Sequence, residues 1–509
     1  MPSVWGVGSG AVDDRPLLLL LSPAWLGTGI FQTFGHRMPP MSLMTLGAHA
    51  RRCGWRTRIV DLQFEKVPTD IVPDLVGITV WTMSAPQSYR VADDFRARGV
   101  PVVLGGVHPS LLPEEALRHA DSVVCGEADS IIDRVLADAA TGRLQPLYKG
   151  EWQGMELVPT ADTWAADLKR VPLTRYAPLN TLQTTRGCRF NCDFCSVIRI
   201  NGRGSRHSDP DRVVDEINVI KKAGQHIGGF AYVFFLDDDL AADLEYTQLL
   251  CETIIRRKCK VTWGAQASIG LAKNPALIDL AARAGCRVVF TGFESVSRDS
   301  LVEANKKNRP GEYGELVEAL HRRGIAVEGG FIFGFDTDGP GVFDETVRVV
   351  DGIGVDVAHF AVLTPYPGTH TFARMASEGR ITSYDWKRYN LYTPVFEPAR
   401  MTAAELSDGL RRAYRNFYAV RPRARRFWKE ARRRDPRFHM ALTVANQNYA
   451  TRYRNPHLSP EAGYEADPEH IARLITASEA PAQEALNVAF ANVRLMAKPA
   501  PPPTPAPIT

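Results

Sequence analysis

At 509 residues with 45% hydrophobic side chains, the chain is long enough for about three domains, each with its own core. Its 61 basic and 57 acidic residues nearly cancel, so no global field favours nucleic acid as a partner. Five of the eight cysteines (Cys53, Cys125, Cys251, Cys259 and Cys286) are scattered, unlike a secreted disulfide framework, and reduced thiols place the chain in the cytoplasm.

Residues 1–15 read as a loose tail. The first apolar run, Leu17 to Leu21, is too short for a membrane span and lacks a basic leader, so it reads as a buried first strand. From 16 to 149 strand patterns (17–21, 57–62, 75–81, 102–104 and 122–125) alternate with helical ones (41–53, 85–98 and 113–119). This is the pattern of an α/β, Rossmann-like open parallel sheet, with its ligand crevice at the carboxyl ends of the strands. Loops at those ends hold Thr79, Trp81, Thr82 and Ser84, then Gly105, Gly106 and His108, then Gly126 and Glu127. Paired glycines there let backbone amides approach a ligand.

Residues 150–178 read as a linker. From 179 to 383, six strand patterns (182–185, 232–236, 262–265, 287–291, 326–333 and 358–363) alternate with helices, which predicts a partial (β/α)6 barrel with catalysis at the strand ends. The first strand leads into Gly187-Cys188-Arg189-Phe190-Asn191-Cys192-Asp193-Phe194-Cys195. Three thiolates on one loop suit a 4Fe-4S cubane, holding three irons and leaving the fourth open; a zinc knuckle with a distant fourth ligand, or buried thiols, are the alternatives. Later strand ends carry Asp237-Asp238-Asp239, then Gln266 and Ser268, then Glu294, then Gly334. Tyr366 follows in a proline-bounded loop as a candidate substrate contact or a packing residue. Three adjacent carboxylates repel unless a cation is near, although an aspartate also caps a helix start, and Glu294 has a buried ion pair as its alternative. Residues 384–496 read as helical. From Arg411 to Arg437 twelve basic residues stand against Glu430 and Asp435, a face that covers the barrel's open side or meets anionic lipid or an acidic substrate. Residues 497–509 are proline-rich and expected to be disordered.

The spacing Cys-x3-Cys-x2-Cys, with Phe194 before the last cysteine, resembles the cluster motif of the radical S-adenosylmethionine (radical SAM) superfamily. The preceding region, with Arg37-Met38-Pro39-Pro40 and Leu104-Gly105-Gly106-Val107-His108-Pro109, resembles the cobalamin-binding domain that precedes many radical SAM domains. Together they resemble cobalamin-dependent radical SAM enzymes, a group that includes hopanoid methylases, antibiotic C-methyltransferases and the anaerobic magnesium-protoporphyrin cyclase.

The resemblance implies cluster ligation by Cys188, Cys192 and Cys195, and SAM contacts by Phe194, Asp237, Asp238, Asp239, Gln266, Ser268, Glu294 and Gly334. It implies cobalamin contacts by the loop residues named above. The Asp-x-His-x-x-Gly motif of cobalt-ligating relatives is absent at 22–29, so the lower face is expected to meet Trp81 or its neighbours, with His36 and His108 as the alternatives. The implied reaction is C-methylation of an unactivated carbon through a 5'-deoxyadenosyl radical and methylcobalamin, on a lipid, terpenoid or secondary metabolite. A radical cyclisation or rearrangement with the same cofactors, and a cluster-bearing binding protein without turnover, are the other readings. An external electron donor such as flavodoxin or ferredoxin is implied. The basic helices allow a peripheral contact with the inner face of a membrane.

Overall fold

A computed structural model describes residues 13–24, 38–168, 180–223 and 232–452. The first six strands are β1 (Leu17–Ser22), β2 (Arg56–Asp61), β3 (Leu75–Thr79), β4 (Val102–Gly105), β5 (Ser122–Cys125) and β6 (Leu147–Lys149). They form one sheet in the order β2-β1-β3-β4-β5-β6, parallel throughout. Burial on both faces explains why β1 reads Leu-Leu-Leu-Leu-Leu without alternation. The strand order reverses between β1 and β3, which puts the ligand crevice of such a sheet beside Thr79 and Trp81. Sequence patterning misses β6, whose three residues are too few to show a period.

A second sheet is built from β7 (Asn180–Leu182), β10 (Tyr232–Phe235), β11 (Thr262–Gln266), β12 (Cys286–Glu294), β13 (Ala326–Phe333) and β14 (Val357–Val362). Its order is β14-β13-β12-β11-β10-β7 with every pair parallel, the open six-stranded barrel expected. The first strand ends at Leu182, earlier than its apolar pattern suggests. The next residues form a small antiparallel ribbon, β8 (Thr185–Arg186) with β9 (Arg206–His207), and the cysteine loop lies between its strands.

The helix Ala403–Phe417 lies along the outer edge of the barrel sheet and closes it. The Tyr414 hydroxyl accepts from Phe360 N (3.0 Å) and donates to Phe360 O (2.7 Å), and Tyr418 does the same at Ala358 (3.1 and 2.9 Å). Residues four apart on a helix and two apart on a strand advance by nearly the same length, about 6 Å, so two hydroxyls satisfy the edge of β14. Much of the basic run beyond is spent on barrel carboxylates: Arg425 and Arg426 on Asp351, Arg412 on Asp344, and Arg434 on Asp356. No helix among the described residues is long and apolar enough to cross a membrane.

Candidate functional site

The cysteine loop is fixed by the acidic triplet that follows β10. Asp237 is fully buried and accepts from Thr184 N (2.7 Å), Thr184 Oγ1 (2.5 Å) and Thr185 N (2.8 Å). Burial pushes its carboxyl up to about 7 against those bonds. Asp238 accepts from Gly187 N (2.8 Å) and Asn201 Nδ2 (2.9 Å), so it holds the left-handed glycine that opens the loop. Asp239 accepts from Ala241 N (3.0 Å) and Ser268 N (2.8 Å). Its Oδ2 and the Ser268 Oγ are buried without a hydrogen-bond partner among the described residues. The triplet thus divides its work: two carboxylates brace the loop, and the third leaves an acceptor beside an unbonded hydroxyl.

Cys188, Cys192 and Cys195 are free thiols, half-buried on one loop. Burial pushes Cys188 up to about 11 and Cys195 up to about 12, and raises Cys192, so iron would displace protons on binding. Among the described residues no group of three or more His, Cys, Asp or Glu side chains is already gathered around one point. A cubane spreads three thiolates around three irons, and the donor set fits it. Phe194 is half-buried and packs against the core.

At the end of β12 a register shift between Gly292 and Glu294 turns Glu294 to φ +66°, a conformation unfavourable for a side chain with a Cβ. Its Oε1 accepts from Lys306 Nζ at 2.9 Å, and a Cβ on Gly292 would collide with that carboxylate. The ion pair that the sequence left open for Glu294 is made by a lysine, which also faces Cys192 and Cys195 electrostatically. Asn305 donates to Asn191 O (2.8 Å) and Asp193 N donates to Ala304 O (3.1 Å), so residues 304–306 run beside the cysteine loop. Lys306 carried no signal in the sequence, because only this long-range pairing brings it there. Gln266 stands half-buried at the end of β11. Gly334 is buried: its φ is +103°, Asp338 Oδ2 accepts from its N (2.9 Å), and a Cβ would press on Leu406 and Phe396.

At the first sheet, Trp81 is 44% exposed at the switch point, and Thr79, Gly105, Gly106 and Gly126 are half-buried at neighbouring strand ends. A partly exposed indole beside glycine-bearing strand ends fits one face of a large flat ligand such as a corrin. Other candidate contacts are turned inward. Thr82 is buried, and Ser84 Oγ both accepts from Trp81 N and donates to Trp81 O (3.0 Å each). His108 is wholly buried, with Nε2 3.2 Å from Glu115 Oε1 and its ring edge-on to Trp386. Glu115 also accepts from Tyr89 (3.0 Å) and from Trp386 Nε1 (2.9 Å), so the loop histidine is an interior joint between the first sheet and the residues after the barrel. His36 lies outside the described residues. Tyr366 donates to Tyr389 O (3.0 Å), which commits its hydroxyl to packing.

Glu127 ties the two sheets together. It binds Arg206 through two contacts, one of them 2.9 Å, and Arg186 at 3.3 Å, while Asp129 takes Arg186 at 2.6 Å. Both arginines belong to the ribbon that frames the cysteine loop, and both arginine roles were invisible in the sequence.

Two family models match the chain: the B12 binding domain over residues 27–136 and the Radical SAM superfamily over residues 182–370. The chain is 31% identical over 382 residues to the bacteriochlorophyllide d C-12(1)-methyltransferase of Chlorobaculum tepidum, spanning 74% of this chain and 82% of that protein. It is 27% identical over 381 residues to the anaerobic magnesium-protoporphyrin IX monomethyl ester cyclase of Rubrivivax gelatinosus, spanning 70% of this chain and 67% of that protein. Among solved structures, the cobalamin-dependent S-adenosylmethionine radical enzyme OxsB with aqua-cobalamin bound shares the fold. Its TM-score is 0.64 at 14% identity, over 95% of this chain and 81% of that chain.

Proposed function

Because this chain belongs to the cobalamin-dependent radical SAM enzyme family, we propose that it methylates an unactivated carbon of a lipid, terpenoid or secondary metabolite. The observation that carries this reading is the Glu127 clamp, which joins a cobalamin-type crevice to the ribbon holding the three cysteines. When bound, the cluster with SAM supplies a hydrogen-abstracting radical, and methylcobalamin supplies the methyl group.

The protein's own share is placement. Cys188, Cys192 and Cys195 hold the cluster. The Asp239 Oδ2 and Ser268 Oγ pair offers hydrogen bonds to the SAM ammonium or ribose, with Gln266 beside it and Phe194 near the adenine. Glu294, oriented by Lys306, would accept from ribose hydroxyls, and the exposed Trp81 would contact the corrin. Holding reactants in line in this way accounts for most of what a protein adds to cofactor chemistry. Asp237 and Asp238 would also support the site by bracing the cysteine loop, and Gly334 is itself held by Asp338.

The cyclase relative supports a second reading, radical cyclisation with the same cofactors. The deciding experiment reconstitutes the cluster without oxygen, adds hydroxocobalamin, SAM and reductant, and assays 5'-deoxyadenosine and methylcobalamin. Formation of both supports methylation. Deoxyadenosine alone favours cyclisation, and neither product from a protein with an intact cluster refutes both. The reductant stands for an external one-electron donor in the cell. The exposed basic residues of the last helices keep a peripheral membrane contact open to a vesicle-binding test.

A further inference from the structure

Alternate side chains of the barrel strands face the lumen. On β10, β12 and β13 the outward Phe235, Phe293 and Phe331 are buried, whereas the inward Phe234, Phe290 and Ile332 are half-buried, so the lumen is open. Its wall is not wholly apolar. Glu328 of β13 and His359 of β14 stand on the inner face, with His359 Nε2 3.4 Å from Glu328 Oε2 and the imidazole 5.6 Å from the Phe290 ring. His359 is 3% exposed, and its Nδ1 is buried with no hydrogen-bond partner among the described residues. Tyr449, from the helix Pro436–Arg452, meets the imidazole edge-on, the ring centres 5.1 Å apart.

A buried histidine in a purely structural role ordinarily satisfies both ring nitrogens. A carboxylate only accepts, so the proton of the neutral ring belongs on Nε2, toward Glu328, and Nδ1 presents a lone pair. The strand register sets what that lone pair can reach. His359 is level with Gly330, and Gly330 with Gly292. These two glycines put no side chain between the imidazole and the Glu294 carboxylate, which folds back over Gly292. Phe290 Cζ lies 3.1 Å from where a Cβ on Gly330 would stand and makes the apolar flank. Two strand spacings, about 10 Å, separate His359 from Gly292. The carboxylates of Glu328 and Glu294 on either side disfavour an anion in this space.

We propose that His359 is the polar anchor of the methyl-accepting substrate. Its Nδ1 accepts a hydrogen bond from a hydroxyl or N–H of a neutral, largely apolar molecule seated in the lumen, and Glu328 is a positioning residue that holds the tautomer. The inference rests on the methylation reading, and it narrows the substrate to molecules with such a donor within about 10 Å of the reacting carbon.

The test uses the full chain with its cluster reconstituted and its histidines labelled with nitrogen-15. The ring nitrogens of His359, assigned by their loss in His359→Gln, are read by NMR at mildly alkaline pH, where an ordinary imidazole is neutral. Three small probes differ in their polar group: isopropanol donates, acetone accepts, and acetate is an anion. Nδ1 is expected to be unprotonated, and isopropanol to move its resonance to a plateau, whereas acetone and acetate leave it in place. The other histidines report any general solvent effect. In Glu328→Gln the amide can donate to Nε2, so the Nδ1–H form should grow and the isopropanol shift fall by about half or more.

A protonated Nδ1 in the wild type, a response to acetate in place of isopropanol, or no response to any probe overturns the anchor. An unchanged tautomer in Glu328→Gln removes the positioning role. The same preparation, given SAM, hydroxocobalamin and reductant, is assayed for 5'-deoxyadenosine and methylcobalamin. Absence of both with the isopropanol response intact overturns the methylation reading and the substrate assigned to the anchor, and leaves the donor site standing.

Discussion

Lys306 Nζ donates to Glu294 Oε1 at 2.9 Å, joining the side chain of a residue held at φ +66° to a lysine that faces Cys192 and Cys195 electrostatically. A cation beside a cluster favours its reduced form, and a carboxylate disfavours it. Lys306→Met is therefore expected to lower the midpoint potential of the reconstituted cluster, and Glu294→Gln to raise it. A redox titration followed by electron paramagnetic resonance reads both, and equal potentials in the two variants would contradict the arrangement.

Asp237 restrains the entrance to the cysteine loop through two backbone amides and one hydroxyl. Asp237→Ala leaves those buried donors unpaired and is expected to cost about 2–3 kcal/mol or more of stability. Iron content after reconstitution should fall with it. Urea unfolding of the metal-free protein separates the stability loss from the assembly loss.

The Glu127 clamp predicts coupling between the two sheets. In Glu127→Ala, Arg206 loses its carboxylate partner and Arg186 keeps Asp129 alone. Amide exchange in the ribbon of β8 and β9 should quicken by about tenfold or more, while the core of the first sheet keeps its protection. Unchanged exchange in the ribbon would remove the clamp from the account.

The tyrosines on the barrel edge make a quantitative pair. Tyr414→Phe and Tyr418→Phe each delete two hydrogen bonds to β14 and keep the ring packing, so each should cost about 1–2 kcal/mol. The double variant should also expose a strand edge and associate more readily in light scattering.

Beneath the barrel, His321 Nε2 lies 2.9 Å from Asp356, its Nδ1 lies 3.4 Å from Glu430, and Arg434 binds Asp356 at 2.7 Å. Burial works against charge on His321, but the bonds to Asp356 and Glu430 outweigh it and raise the imidazole above its ordinary 6.5. A raised histidine contributes stability that is complete below 6.5 and lost as pH rises through the folded value. The wild type should therefore lose thermal stability toward mildly alkaline pH in a component that His321→Gln lacks. Parallel melting curves across that range check it.

The sequence by itself determined what is local. Cysteine spacing four then three needs only one loop, so a three-thiol candidate site is readable without a fold. Alternating apolar runs and helical periods similarly identify two parallel α/β sheets. The glycine after β4 and the carboxylates after β10 were placed at strand ends by the same reasoning. Only the tertiary structure decided which polar groups at those ends remain open and which are consumed. His108 and Glu127 stand in similar loops, yet one is buried against Glu115 and the other reaches across to Arg186 and Arg206. Asp237, Asp238 and Asp239 are adjacent and identical in chemistry, yet the direction of each carboxylate gives each a different task. Lys306 reaches the cysteine loop only because β12 and the segment after it fold back beside Asn191. Periodicity and spacing carry local information, whereas hydrogen-bond satisfaction of a buried polar group is settled by whichever residue, however distant in sequence, packing brings within reach.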